Sequence, residues 1–238
     1  RPFICSIFPP SDLDGTTIIN GLSLKKDYSQ DALFYDILQA FKDFGKLSNI
    51  DPQFKSRLFE DFLKGTTGKK QLAQFFTPRN VIKAMVEMAD VKDLPDGSRI
   101  FDPACGVGGF IIESILNRKE HGKDDFYFKN DKLVSRIGYK GYDYDDVTVI
   151  LGKANQLICL TELLEKNRTL TKQVSVLLSN TFQLIHKSII GSLELTEDSQ
   201  YEIIMSNPPY VSKGMALYRR YINDNKPLRS FYNINSIG

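Results

Sequence analysis

The sequence predicts an α/β fold with a mainly parallel sheet covered by helices on both faces, and three observations carry that prediction. From about residue 71, short apolar strands alternate with helical patterns, the order that builds parallel sheets through helical crossovers. A glycine-rich run, DPACGVGGF at 102–110, lies between one such strand and the next helix, where open α/β sheets bind ligands. Before residue 71 the chain has helical spacing and no strand pattern. The predicted division is therefore a helical N-terminal segment, 1–70, and an α/β core, 71–238.

In the N-terminal segment, residues 31–44 place Phe34, Ile37, Leu38, Phe41 and Phe44 at helical spacing, with Gly45 as a stop. Residues 54–63 repeat the pattern with Phe54, Leu58, Phe59 and Phe62, ending at Gly65. These aromatic stripes read as core packing. GTTGKK at 65–70 has only two residues between its glycines and no Ser or Thr after its lysines, so it is not a Walker loop and reads as a basic turn.

In the core, Thr77 is expected to cap a helix with Pro78 at its first position, where a missing N–H costs nothing. That helix presents Val81, Ile82, Met85 and Met88 on one face. A strand is predicted at 98–102, an apolar helix after Gly109, a second strand within 134–142 and a long helix over 147–164. The runs VSVLL at 174–178 and YEIIM at 201–205 read as a third and a fourth strand. The charged stretch 119–135 lacks periodicity and reads as a surface excursion.

Composition closes off several chemistries. The chain has 238 residues, 42% hydrophobic and 25% charged, a globular balance and not a disordered or fibrous one. No apolar run approaches the ~18 residues needed to span a bilayer. Three cysteines (Cys5, Cys105, Cys159) form no close pair and the two histidines, His121 and His186, are scattered, which argues against a disulfide framework or a metal cluster and fits a reducing cytoplasm. A net charge of +2 neither implies nor forbids a polyanionic partner. The start, RPFICSIFPP, lacks the order of a signal peptide, so the chain reads as an excised fragment or a processed one.

Gly106, Gly108 and Gly109 let the backbone turn tightly and approach a ligand without Cβ interference. A dinucleotide fingerprint would need glycine at 111, where the chain has Ile111, and an acidic residue about 20 positions onward. The acidic candidate here is Asp143 in GYDYDD, roughly twice as far, so the NAD pattern is not met. At a strand end, Asp143 is placed to accept both hydroxyl protons of a ribose; helix capping is the competing reading. Asp145 and Asp146 suit the cap of the following helix, whose dipole favours negative charge.

SNPPY at 206–210 directly follows an apolar strand. Its prolines stop the strand and stiffen the backbone. The Asn207 side-chain carbonyl and the Pro208 carbonyl can accept both N–H bonds of an amino group on a planar ring, and Tyr210 offers it an aromatic face. With both donors held, the nitrogen can pyramidalise and present its lone pair. An isolated NPPY is as readily a rigid turn; after a glycine-rich turn and an acidic strand end, in that order, the acceptor reading prevails.

In sum of motifs, QFFTPR (74–79), DPACGVGGF (102–110), GYD (141–143), SNTF (179–182) and NPPY (207–210) resemble the N6-adenine DNA methyltransferases, specifically the modification subunits of type I restriction-modification systems. The resemblance covers about 71–212. It implies a class I S-adenosylmethionine-dependent methyltransferase fold, Rossmann-like, and methyl transfer from S-adenosylmethionine to N6 of adenine in DNA. It implies that Gln74, Phe75, Phe76, Thr77, Pro78 and Arg79 contact the methionine part of the cofactor, with Asp102, Gly106, Val107, Gly108 and Gly109 around it. Asp143 would bind the ribose and Asn180 would lie beside the cofactor adenine, where many relatives have Asp. Asn207, Pro208, Pro209 and Tyr210 would hold the target adenine. Where the family often has Thr, this chain has Val107; Asn155 also looks like the family. The implied partners are DNA, a DNA-specificity subunit and a restriction subunit, with no metal and no membrane.

Only residues 211–238 follow Tyr210, fewer than the fold normally adds, so the sheet is expected to be incomplete and target recognition to lie in a partner or a missing C-terminal region. This tail carries Lys213, Arg219, Arg220, Lys226 and Arg229 against one acid, Asp224, which reads either as a phosphate-contacting surface or as a solvated terminus. Two further functions share the motifs: methylation of a glutamine side chain or of ribosomal RNA, whose amino groups have the same donors, and a non-catalytic cofactor-binding subunit of a DNA-binding assembly.

Overall fold

The computed structural model describes residues 77–166, 171–185, 200–208 and 215–226, together with isolated positions between 35 and 54 and residue 229. Within the predicted N-terminal helices, Tyr35, Asp36, Gln39, Ala40, Lys42, Asp43 and Phe54 are helical, Gln39 donates to Asp43 one turn on, and Gly45 takes φ +93, the left-handed conformation that ends helices. Phe54 is 48% exposed, against its reading as core packing; the other residues of the aromatic stripes, the 65–70 turn and Gln74, Phe75 and Phe76 lie outside the described residues.

Helix α1 spans Arg79–Met88, preceded by Pro78 with φ −55 and ψ 132. Pro78 is thus the flanking residue and not the first helical one, and the Thr77 hydroxyl makes no cap. The buried face is Ile82 and Val86, while Val81 and Met88 are exposed. The apolar arc of this helix is wide, and the core claims only the half centred on Ile82 and Val86. A 3-10 turn, Val91–Asp93, leads to β1, Arg99–Asp102. Helix α2, Gly109–Glu120, is buried from Phe110 through Arg118, the polar Glu113, Ser114, Asn117 and Arg118 included.

Strands β2, Phe126–Lys129, and β3, Lys132–Ser135, form an antiparallel hairpin where a featureless excursion is predicted. Its turn residues, Asn130 and Asp131, have φ of 52 and 58, the paired left-handed geometry that Asn and Asp tolerate and that joins twisted strands in register. The hairpin is fastened by a buried network. Arg118 donates through Nε to both carboxylate oxygens of Asp125, at 2.8 and 2.9 Å, and through a terminal nitrogen to the carbonyls of Val91 and Leu94. The Tyr139 hydroxyl donates to Asp125 at 2.6 Å.

Strand β4 is Gly138–Asp143. The predicted helix over 147–164 is two helices, α3, Asp146–Cys159, and α4, Thr161–Lys166, separated at Leu160. The run 174–178 is not a strand: it lies inside α5, Thr171–Thr181. Val174, Leu178 and Thr181 are buried while Val176 is 58% exposed, a helical spacing that a five-residue apolar run does not reveal. The strand comes just after it, as β5, Phe182–Leu184. Strand β6, Ile203–Ile204, is shorter than the run 201–205, although Glu202 N–H to the Arg99 carbonyl and Met205 N–H to the Phe101 carbonyl extend its ladder. Helix α6, Met215–Asp224, occupies part of the basic tail and buries Ile222.

The main sheet has the order β5-β4-β1-β6, and every pairing in it is parallel. From β1 the chain builds outward through β4 to β5, then returns to place β6 on the other side of β1. That reversal is a topological switch point, and ligands of open α/β sheets bind outside the carboxyl ends of the strands there. Ile100, Ile111, Ile112, Val149, Leu178 and Phe182 are essentially inaccessible and belong to one continuous core.

Candidate active site

The carboxyl edge of the sheet gathers the ends of β1, β4 and β6. β1 ends at Asp102, in register with Gly141 of β4. Beyond it the Cys105 N–H donates to the Tyr142 carbonyl and the Gly108 N–H to the Cys105 carbonyl, both at 2.8 Å, closing a tight turn before α2. Gly106 and Gly108 have φ of 54 and 83, values costly for any residue with a Cβ.

The turn is held from two other elements. Asp143, at the end of β4, accepts the Gly106 N–H at 2.9 Å through one oxygen and the Asp145 N–H at 2.9 Å through the other. From α3, the buried Asn155 donates to the Val107 carbonyl at 3.3 Å. Asp145 caps α3 as expected, accepting from Val147 and Thr148, and Asp146 also accepts from Val147.

The glycines of the turn divide by what faces them. A Cβ on Gly108 would lie 2.6 Å from Phe182, and one on Gly109 would lie 2.8 Å from Ile82, whereas one on Gly106 would meet nothing within 4 Å. Gly108 and Gly109 therefore admit packing partners from the protein, and Gly106 leaves backbone open to a ligand. Phe182, the last residue of SNTF, is the wedge beneath the turn.

The electrostatics follow from burial. Asp102 is 2% exposed; burial pushes its carboxyl up to about 7, against the opposing influence of the Ser206 hydroxyl and the Ala104 N–H. Burial also raises Asp143, partly offset by the N–H groups it accepts. The Cys105 thiol is pushed well above its ordinary value by burial and by both carboxylates, so it is held as an unreactive thiol. Two carboxylates thus converge on a turn with exposed backbone, a setting for ligand hydroxyls and a cationic group. Among the described residues no group of three His, Cys, Asp or Glu could hold a metal ion.

Two contacts tie α1 to this edge. Arg79 and Lys83 lie 3.4 and 3.7 Å from Glu113 of α2, whose side chain is 6% exposed. The Asn207 amide Nδ2 donates to the Thr77 hydroxyl at 3.0 Å, across 130 residues of chain. Of the predicted site residues, Thr77 and Asn207 meet each other, Gly106 meets Asp143, and Val107 meets Asn155. Arg79 is engaged with α2. Asn180 is exposed at the end of α5, in an open cleft of about 350 Å³ shared with Leu133, Ser135, Lys172, Gln173, Val176 and Leu177, on the hairpin side of that helix. Pro208 is exposed; Pro209 and Tyr210 lie outside the described residues. Glu113 escapes motif reading; its signal is an acid inside the otherwise apolar FIIESIL. Glu113→Gln is expected to lower stability by roughly 2 kcal/mol, since it removes the buried charge that Arg79 and Lys83 approach. Chemical denaturation should show a lower midpoint at an unchanged slope.

The fold is that of a class I methyltransferase: the chain aligns over 93% of its length with 55% of a Listeria monocytogenes protein described as a putative class I S-adenosylmethionine-dependent methyltransferase, at a TM-score of 0.50 and 18% identity. Residues 51–231 match the N-6 DNA methylase family, and the chain belongs to that family. It is 34% identical over 48% of its length to the methylase subunit of the type I restriction enzyme MjaIX of Methanocaldococcus jannaschii, covering 18% of that subunit. To the methylase subunit of the Escherichia coli type I restriction enzyme EcoEI it is 26% identical over 64% of its length, covering 26% of that subunit. The chain thus spans about a fifth to a quarter of the length of these curated relatives.

Proposed function

We propose that this chain carries the cofactor site and the amino-group acceptor of an adenine-N6 DNA methyltransferase, acting as part of a type I restriction-modification enzyme. Membership of the N-6 DNA methylase family supports the reaction class, and the names of the two methylase-subunit relatives support the assembly. The observation that carries the reading is the convergence at one sheet edge of the turn at Gly106, the carboxylates Asp102 and Asp143, and Asn207 from the far side of β1. DNA, a specificity subunit and a restriction subunit are the partners this reading requires.

The residues present fit S-adenosylmethionine. The open backbone at Gly106 lets a ligand lie against the turn, and Asp143, which takes backbone N–H groups from Gly106, Asp145 and Tyr144, keeps about one of its roughly four lone-pair sites for a ribose hydroxyl. Asp102 would face the cationic methionine end, with Thr77 and Pro78 entering from α1 and Gln74, Phe75 and Phe76 before them. When bound, this cofactor supplies an electrophilic methyl group on a sulfonium. Asn207 Oδ1 and the Pro208 carbonyl would take the two N–H bonds of the target amino group, and Pro209 and Tyr210 complete the motif against the ring. A stacked base cannot reach such a site, so the adenine must be flipped out of the duplex. What remains for the protein is mainly positioning.

The test is incubation of the full-length protein, with its partners, on DNA and methyl-labelled cofactor; label on cytosine, or only in protein or RNA, would overturn the reading. Asp143→Ala should weaken cofactor binding about tenfold to a hundredfold, the loss of a charge-assisted acceptor, with the fold retained. Asn207→Ala should spare cofactor binding and lower methyl transfer. Calorimetry beside the transfer assay separates the two, and unchanged cofactor affinity in Asp143→Ala would remove the ribose assignment.

A further inference from the structure

We infer that Thr77 is a positioning residue that orients Asn207 toward its substrate; the inference rests on the amino-group acceptor reading above. An asparagine side chain turned by half a revolution about its last torsion exchanges Oδ1 for Nδ2 at little intrinsic cost, because that torsion is broad. In one orientation Asn207 presents an acceptor to an incoming amino group. In the other it presents two N–H donors to a group that is itself a donor, and the site opposes its substrate.

Among the described residues the Asn207 side chain makes one hydrogen bond, from Nδ2 to the Thr77 hydroxyl at 3.0 Å. That bond occupies one of the two Nδ2 hydrogens and leaves Oδ1 on the side away from Thr77. The backbone at Asn207 is set by the ladder that reaches Met205 and by the prolines that follow, but neither fixes the last torsion of its side chain. Thr77 is better anchored. It immediately precedes Pro78 and α1, and α1 is fixed to α2 by Arg79 and Lys83 on Glu113 and by Ile82 packing against Gly109. A rigid helix entrance thus holds the one free torsion of the Asn207 side chain, the arrangement that keeps a functional group within its productive geometry. The same helix is fastened to the glycine-rich turn, so the cofactor side and the acceptor side are set in register through Thr77.

Thr77→Val keeps the side-chain shape and removes the acceptor. In the complete enzyme at saturating cofactor, kcat for transfer to DNA should fall roughly tenfold to a hundredfold, a larger loss than any in cofactor affinity read by calorimetry. Thr77→Ser should recover most of the rate, and adding Thr77→Val to Asn207→Ala should cost nothing further. A kcat equal to wild type would overturn the inference, as would additive losses in the double variant or a loss of cofactor affinity matching the loss of rate. A second readout is independent of the substrate's identity. In full-length protein labelled with 15N-asparagine, the side-chain NH2 resonance deleted by Asn207→Asp should exchange its protons faster in Thr77→Val than in wild type; equal exchange would overturn the contact itself. Failure of the DNA reading instead appears as label on another substrate, with the exchange difference intact.

Discussion

Gly108→Ala is expected to destabilise the protein by roughly 2–5 kcal/mol, combining a left-handed backbone with overpacking of the core. The backbone there has φ +83, and the new methyl would lie 2.6 Å from two ring atoms of Phe182. Phe182 is wholly buried and has nowhere to retreat. Gly106→Ala provides the contrast: φ is +54 but nothing lies within 4 Å of the added carbon, so only the backbone cost, about 1–2 kcal/mol, applies. The Gly106 variant should fold and yet bind cofactor poorly, because its methyl occupies the space left for the ligand. Denaturant titration of both, with Phe182→Leu alone and combined with Gly108→Ala, measures the coupling. Partial recovery in the double variant is the expected result; a Gly108→Ala protein as stable as wild type would show that Phe182 does not press on the turn.

Asp102→Asn should make the protein more stable at pH 8 and change it little at pH 4, while impairing cofactor binding. The carboxyl rises from 3.8 to about 7 on folding, chiefly through burial, so between those values the folded chain holds a proton that the unfolded chain does not. The contribution of this group to stability is therefore full below about 4 and is lost as pH rises through 7. Above 7 the native protein carries a buried, poorly solvated charge. Removing that charge should restore up to about 4 kcal/mol, less whatever the new amide loses by imperfect hydrogen bonding. Thermal melts of both proteins from pH 4 to pH 8 check it; a stability difference independent of pH would mean that Asp102 is already ionised throughout.

Where sequence reading succeeded, the signal was local. Gly106 and Gly108 need positive φ, and glycine in a strand-to-helix turn announces that need. Asp145 announces a helix cap in the same way. Where it failed, short segments carried patterns that two structures share. The run 174–178 is apolar enough for a strand, but the helical spacing appears only when Val174, Leu178 and Thr181 are seen buried together. The segment 119–135 reads as a surface excursion because its hairpin depends on the turn residues Asn130 and Asp131 and on a buried pairing of Arg118 with Asp125 that carries no periodic signal. Pro78 was misplaced by one residue, which is within the fraying of any helix end, yet that residue matters: it releases the Thr77 hydroxyl from capping.

The sequence by itself determined the alternation of strand and helix among the described residues after Thr77, the run 174–178 excepted, and the glycine turn between β1 and α2, because period, φ preference and capping act over a few residues. It also set the order of the motifs. Which residues meet across the chain was decided only by the tertiary structure. The reversal of strand order beside β1 brings Asn207 to Thr77, 130 residues away, and parallel pairing in register brings Asp143 to Gly106. Packing also assigned Gly108 to Phe182 and left Gly106 open. Spacing along a chain carries no record of such contacts, since a side chain's partner is set by how buried apolar surface stacks the elements and by which hydrogen-bonding groups that stacking leaves face to face.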